Sequence, residues 1–298
     1  MGESAEVSTN SRYQVGSTLA GPQRPSAPVR DVWMAHLALS DIDGNRFLHT
    51  ERLNRAGAGL AGADAVQARV WNGNWSARIT MTEQVLAAVA DQFQIALKLA
   101  PQKPPVIHGV DGVSQKAAGP GRASHYISYT RLAATGTVTL DGKPFTVEGL
   151  AWMDHEFFTH QLEGDQPGWD WLSLQCDDGS ELMLFRLRHK DGSIDAYSAG
   201  TYVDAQGRDR HLTRDEFAFA PGRTWTSPES HGQYPIEWAV RVPSLGLDAR
   251  ITTRLPRQEL SRYWEGAIEI AGTKQGRVVK GVGYLEMTGY AGPVRMGE

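Results

Sequence analysis

Gly149-Leu-Ala-Trp-Met-Asp-His-Glu-Phe-Phe-Thr-His160, followed by Gly168-Trp-Asp-Trp171, is the stretch of this chain richest in side chains able to do chemistry. Five large aromatics (Trp152, Phe157, Phe158, Trp169, Trp171) are interleaved there with three acids (Asp154, Glu156, Asp170) and two histidines (His155, His160). A carboxyl desolvated among aromatics holds its proton to higher pH, because burial disfavours the charged form. Aromatic faces stabilise a neighbouring cation. Lining one pocket, these groups would suit acid-initiated chemistry on an apolar substrate.

Each acid has two readings. Asp154 follows an apolar run and precedes two aromatics. It is either a structural carboxylate paired with backbone or arginine, or a protonated general acid. Glu156 and Asp170 carry no spacing diagnostic of a glycosidase pair. His155 and His160 are one residue too far apart for the helical zinc motif, and on a strand they face opposite ways. No metal site is expected. In the run at residues 124–131, His125, Ile127 and Tyr129 share one face and Tyr126, Ser128 and Thr130 the other. The His125 and Tyr129 face is a candidate pocket wall. Trp169 and Trp171 share a face opposed to Asp170. Arg131 and Arg186 are candidates to pair with buried acids. No nucleophile elbow and no phosphate-binding glycine loop occurs.

The elements that must hold these residues read as β. Asp-Gly pairs at 43–44, 141–142, 178–179 and 191–192 and a Gln-Gly at 206–207 punctuate apolar runs, the pattern of hairpins and meanders. Strands are expected at 32–39, 46–50, 74–82, 137–140, 145–150, 171–174, 181–187, 236–242, 248–253, 263–270 and 281–288. Residues 84–99 fit an amphipathic helix or two strands, with strand favoured for the second half. The Gly/Ala-rich stretch 56–68 reads as a short helix or tight loop, 101–121 as a loop, and Pro167-Gly168 as a hinge.

With 298 residues, the chain has room for two domains or one large β domain. A net charge of -4 without a basic block argues against nucleic acid as a partner. No run of about 18 apolar residues is present, so no integral membrane segment is expected. No signal peptide is visible in the N-terminal residues. The single cysteine, Cys176, excludes an internal disulfide and reads as a buried, inert thiol.

The run Trp152-Met-Asp-His-Glu-Phe157 with Gly168-Trp-Asp-Trp171 resembles the lipocalin-like family of the AttH proteins and bacterial carotenoid 1,2-hydratases. Residues 124–132, Gly200-Thr-Tyr202, Trp225-Thr-Ser-Pro228, Tyr263-Trp-Glu-Gly-Ala267 and the segment 281–290 extend the match to about residues 32–291. Fungal Diels–Alderases resemble it more distantly. The resemblance implies an all-β fold of two consecutive lipocalin-like antiparallel β-barrel domains, at 31–164 and 165–298, behind a loosely attached segment 1–30. It implies hydration of an isolated double bond of an isoprenoid or other apolar substrate, without metal or organic cofactor. Asp154 would be the acid and His125 would position water. Trp152, Tyr129, Trp169, Trp171, Glu156 and His155 would surround the substrate. His155-Glu156 places the chain with the AttH-like branch. That branch also admits a non-catalytic lipid-binding protein of the periplasm or cell envelope serving an ABC transporter, and the distant relatives admit a pericyclase or cyclase.

Overall fold

The computed structural model describes residues 32–158, 162–261 and 263–292. The N-terminal segment and His160 therefore lie outside the described residues. Within them every regular element is a strand, apart from two single 3-10 turns at Arg214–Glu216 and Pro243–Leu245.

The first half begins with a hairpin, Val32–Asp41 and Arg46–Arg55, closing through Asp43-Gly44. A nine-stranded antiparallel sheet follows. Its order runs Lys143–Phe158, Ala123–Leu140, Phe93–Pro101, Gln84–Val89, Trp75–Ile79, Arg69–Asn72 and Ala61–Asp64. The short strands Val106–Ile107 and Ser114–Gln115 also pair with Ala123–Leu140. Strand Phe93–Pro101 alternates buried and exposed along its length. Its Phe93, Ile95, Leu97 and Leu99 pack with Ala35, Leu37 and Leu39 of the hairpin in one core.

The helix-or-strands ambiguity at 84–99 resolves to two strands. A four-residue apolar spacing is also a multiple of two, so it cannot by itself distinguish a helix from a strand. The stretch 56–68, expected to hold a helix or tight loop, contains a strand at Ala61–Asp64. That strand pairs with Arg69–Asn72, and Gly62 lies so close under Trp71 that a Cβ would meet its ring at 2.8 Å. Tertiary pairing overrides the weak local preference here.

The second half is a nine-stranded antiparallel meander. Its order is Asp209–Thr213, Ala199–Val203, Glu181–Arg188, Gly168–Cys176, Arg277–Thr288, Tyr263–Lys274, Leu247–Thr252, Glu237–Val242 and Ala218–Pro221. The two outermost strands are consecutive in the chain, joined through Arg214–Glu216. The sheet therefore curls back towards itself, the geometry of a β-barrel. Its interior is filled, with Trp238, Trp264, Leu172, Leu184 and Ile251 essentially fully buried.

Strand Gly168–Cys176 is buried on both faces. Leu172, Leu174 and Cys176 enter the second core. On the opposite face Trp169 and Trp171 meet Tyr126 of the first sheet. Gln175 donates from Nε2 to the carbonyls of Thr130 (2.8 Å) and Ala151 (3.0 Å). Lys103 Nζ (2.6 Å) and Arg131 Nε (2.5 Å) converge on the fully buried Glu181 carboxylate. These contacts fasten the sheets together, so the face of Lys143–Phe158 bearing Asp154 looks across a protein interface. Pro167-Gly168, read as a hinge, leads directly into a strand. A Cβ at Gly168 would lie 2.4 Å from the Thr288 carbonyl oxygen. Burial raises the Cys176 thiol pKa to about 11.

Candidate functional site

The site grows from one hairpin. Ala123–Leu140 turns through Asp141-Gly142, both with positive φ (49° and 78°), into Lys143–Phe158. The register sets Ser128 opposite Asp154 and Tyr126 opposite Glu156, so these four side chains project from one face. Trp152 and Ser124 extend the row.

The Asp154 carboxyl is met by three neutral donors. Ser128 Oγ lies 2.5 Å and Trp152 Nε1 2.6 Å from Oδ1, and Tyr126 Oη lies 2.8 Å from Oδ2. The Tyr126 hydroxyl in turn accepts from Trp171 Nε1 at 2.9 Å. Burial is the largest influence on Asp154 and raises its pKa to about 6, against the opposing pull of the three hydrogen bonds. The nearby Glu156 charge raises it further. The residue as a whole is only partly buried, and its carboxyl keeps its proton to about two pH units above an ordinary aspartate.

Behind Ser128 stands His108, which directly follows the short strand Val106–Ile107. Its Nε2 is 2.7 Å from Ser128 Oγ and its Nδ1 is 2.8 Å from Thr201 Oγ1 of the second sheet. His108 is buried, and its pKa falls to about 3, chiefly through desolvation and then through the Lys116 charge. It is therefore a neutral imidazole. Lys116 is also buried. Its ammonium lies 3.1 Å from Glu156 Oε1 and 3.9 Å from the Phe185 ring centre. Ser124 donates to the same Glu156 oxygen at 2.6 Å.

An aromatic wall faces this polar row. Tyr126, Trp169, Trp171, Met183, Phe185 and Leu187 form a cluster between the sheets, with Trp152, Tyr197 and Tyr284 partly exposed against it. Trp152 and Trp171 meet edge to face, with ring centres 6.3 Å apart. The carboxyl thus lies beside two indoles, the Trp152 ring meeting it edge-on through Nε1–H, and an indole face is a surface that stabilises a cation.

The residues singled out in the sequence divide between the two faces of the hairpin. Asp154, Trp152, Trp171 and Glu156 come together, and Trp169 joins the same aromatic cluster while donating from Nε1 to Glu286 (2.8 Å). His125 does not reach Asp154. It is exposed, bonded at Nδ1 to the Gly112 carbonyl (2.9 Å) and tilted against the Phe157 ring. His155 is likewise exposed, also against Phe157. Tyr129 lies opposite Met153 and enters the core of the first sheet. The pocket wall read onto the His125 and Tyr129 face is therefore corrected: Tyr126 and Ser128, one residue out of phase, face Asp154. The alternation was legible, but the inward face could not be chosen without the cross-strand register. His108 and Lys116 were missed because 101–121 reads as a loop without periodicity. Among the described residues no cluster of three or more His, Cys, Asp or Glu is placed to hold a metal ion.

Antiparallel sheets that make up every regular element but two single turns define an all-β, lipocalin-like protein. The chain belongs to the AttH-like family, whose model matches residues 12–290. A solved structure described as a putative AttH from Nitrosomonas europaea superposes with a TM-score of 0.78 at 32% identity, covering 89% of this chain and 84% of that one. Kievitone hydratase from Nectria haematococca superposes with a TM-score of 0.69 at 16% identity, covering 88% and 80% respectively. The latter likeness is one of fold. Among curated proteins none matches the chain. No helix among the described residues is long and apolar enough to cross a membrane.

Proposed function

We propose that the protein is a hydratase that adds water across an isolated carbon–carbon double bond of an apolar, isoprenoid-like substrate, with Asp154 as general acid. The observation that carries this reading is the Asp154 carboxyl itself. It is held by neutral partners alone, its pKa is raised to about 6, and the indoles of Trp152 and Trp171 stand beside it. The name of the kievitone hydratase neighbour, on the same fold, agrees with it.

In this mechanism the carboxyl proton passes to the less substituted alkene carbon as the π bond breaks. The carbocation is held against the indole faces. Water adds to it and loses a proton, which returns to the Asp154 carboxylate. The net change is one water added, with the acid regenerated.

The test is incubation of the protein with a lipid extract, followed by mass spectrometry of bound and altered species. A gain of one water that falls about 10²–10⁴-fold in Asp154→Asn is expected from loss of a general acid. A non-catalytic lipid carrier of the envelope would instead return bound, unchanged lipid, equally from wild type and variant. That result, or hydration persisting in Asp154→Asn, would overturn the proposal.

A further inference from the structure

Of the three contacts to the Asp154 carboxyl, only one can reverse direction. Trp152 Nε1–H can only donate. The Tyr126 hydroxyl already accepts from Trp171 Nε1, another obligate donor, so its own hydrogen goes to Asp154 Oδ2. Ser128 differs. Its single hydrogen stands between Asp154 Oδ1 at 2.5 Å and His108 Nε2 at 2.7 Å.

Two arrangements satisfy this row. In the first, His108 carries its hydrogen on Nδ1 and donates to Thr201, so bare Nε2 takes the Ser128 hydrogen. Asp154 Oδ1 must then bear a proton and donate to Ser128. In the second, His108 carries its hydrogen on Nε2 and donates to Ser128, which donates to an ionised Asp154. Thr201, able to donate or accept, completes His108 Nδ1 in either case (2.8 Å). The arrangements differ by the Asp154 proton and by the His108 tautomer.

We propose that His108, acting through Ser128, is the positioning residue that keeps the proton on Asp154. The role requires a neutral imidazole, since a doubly protonated ring could accept nothing from Ser128. Burial and the Lys116 ammonium provide it, with His211 acting in the same direction and Glu156 opposing. Thr201 brings in the second sheet, so the state of the acid depends on the two sheets being docked.

The inference rests on Asp154 being the acid of the proposed hydratase, but its test reads protonation rather than turnover. Asp154 is titrated by carboxyl ¹³C NMR in the wild type, in His108→Phe, and in Thr201→Val. Both variants disfavour the first arrangement, one by removing the acceptor and the other by orphaning Nδ1–H. Each should lower the Asp154 pKa by about 1 unit, the scale of one hydrogen bond to a charged group. Placing His108→Phe in a Ser128→Ala background should abolish the shift, because the connection is gone. An unchanged pKa in both single variants overturns the proposal. So does a shift that survives without Ser128, which would mean the imidazole acts through space. Loss of hydration with these shifts intact would count against the hydratase reading alone.

Discussion

Asp154 and Asp170 sit two residues after and one residue after a tryptophan, in neighbouring segments that look alike in sequence. Their surroundings are opposite. Asp170 is fully buried inside the second sheet and is clamped by Arg186 (Nε, 2.8 Å), by Arg188 and by the Tyr290 hydroxyl (2.9 Å). Asp154 is partly exposed and meets a serine, a tyrosine and a tryptophan. Guanidinium partners compensate a carboxylate charge; neutral donors among aromatics leave much of its desolvation cost in place. Proximity to aromatics therefore does not make an acid. The charge of the donors decides how much of that cost remains; it makes Asp170 part of the architecture and is what supports the proposed role of Asp154.

The sharpest way to break that contrast is to remove one partner from each. Arg186→Met leaves Asp170 with a single guanidinium and also strips the bond to the Phe219 carbonyl and the stack on Trp238. It should cost about 3–5 kcal/mol of stability, the penalty of half-dismantling a buried charge cluster. Ser128→Ala beside Asp154 should cost less, about 1–3 kcal/mol, the scale of leaving the buried His108 Nε2 without its hydroxyl partner. Urea unfolding of both variants measures the difference. Equal losses would mean that the Asp170 cluster is no more structural than the Asp154 one.

The same contrast shows what the sequence can disclose. Dipeptide turns such as Asp141-Gly142 and Asp178-Gly179, and the strict alternation of Phe93–Pro101, mark the strands because local backbone geometry demands those residues. Strand alternation alone sets Trp169 and Trp171 on the face opposite Asp170, and there they join the inter-sheet cluster while Asp170 meets Arg186. That Arg186 pairs with Asp170 follows from the Gly168–Cys176 and Glu181–Arg188 register, in which the two are directly opposed. Asp154 was legible as an acid among aromatics, yet its partners were not. Tyr126 and Ser128 belong to a run whose two faces are both rich in polar and aromatic side chains, so pattern could not choose the inward one. His108 reaches the site from a segment with no period at all. What selects these residues is pairing across 20 or more positions, and a single chain does not display it.

Stability against pH separates the acid from its surroundings. Asp154 is raised from 3.8 to about 6 in the folded protein, so the native state binds its proton more tightly than the unfolded chain. Its contribution to stability is fully present below about pH 4 and is lost as pH rises through about 6. Asp154→Asn has no proton to lose. The stability of the variant relative to wild type should therefore rise between pH 4 and 7 by roughly 2–3 kcal/mol, from a shift of about 2 units at 1.36 kcal/mol each. Denaturant titrations at several pH values read this directly. A difference independent of pH would show that Asp154 ionises freely. His108, lowered from 6.5 to about 3, acts in the opposite sense: its contribution is present above pH 6.5 and fades as pH falls towards 3. Between about pH 4 and 6 the two contributions run in opposite directions and largely offset each other, so the Asp154 effect is read from the variant against wild type rather than from the wild-type curve alone.

The smallest effect tests the donors themselves. Tyr126→Phe removes the hydroxyl that donates to Asp154 Oδ2 while keeping the ring in the inter-sheet cluster. A donor to a carboxylate stabilises the charged form, so its loss should raise the Asp154 pKa further, by up to about 1 unit. The alkaline limb of a hydration profile should move up with it, since the acid stays protonated to higher pH. His108→Phe should move the same limb down. Opposite shifts from two residues that both belong to the Asp154 hydrogen-bond network would separate a donor that favours the carboxylate from a row that favours the acid. Shifts of the same sign would mean that burial alone governs Asp154 and that the direction of the Ser128 contact is immaterial.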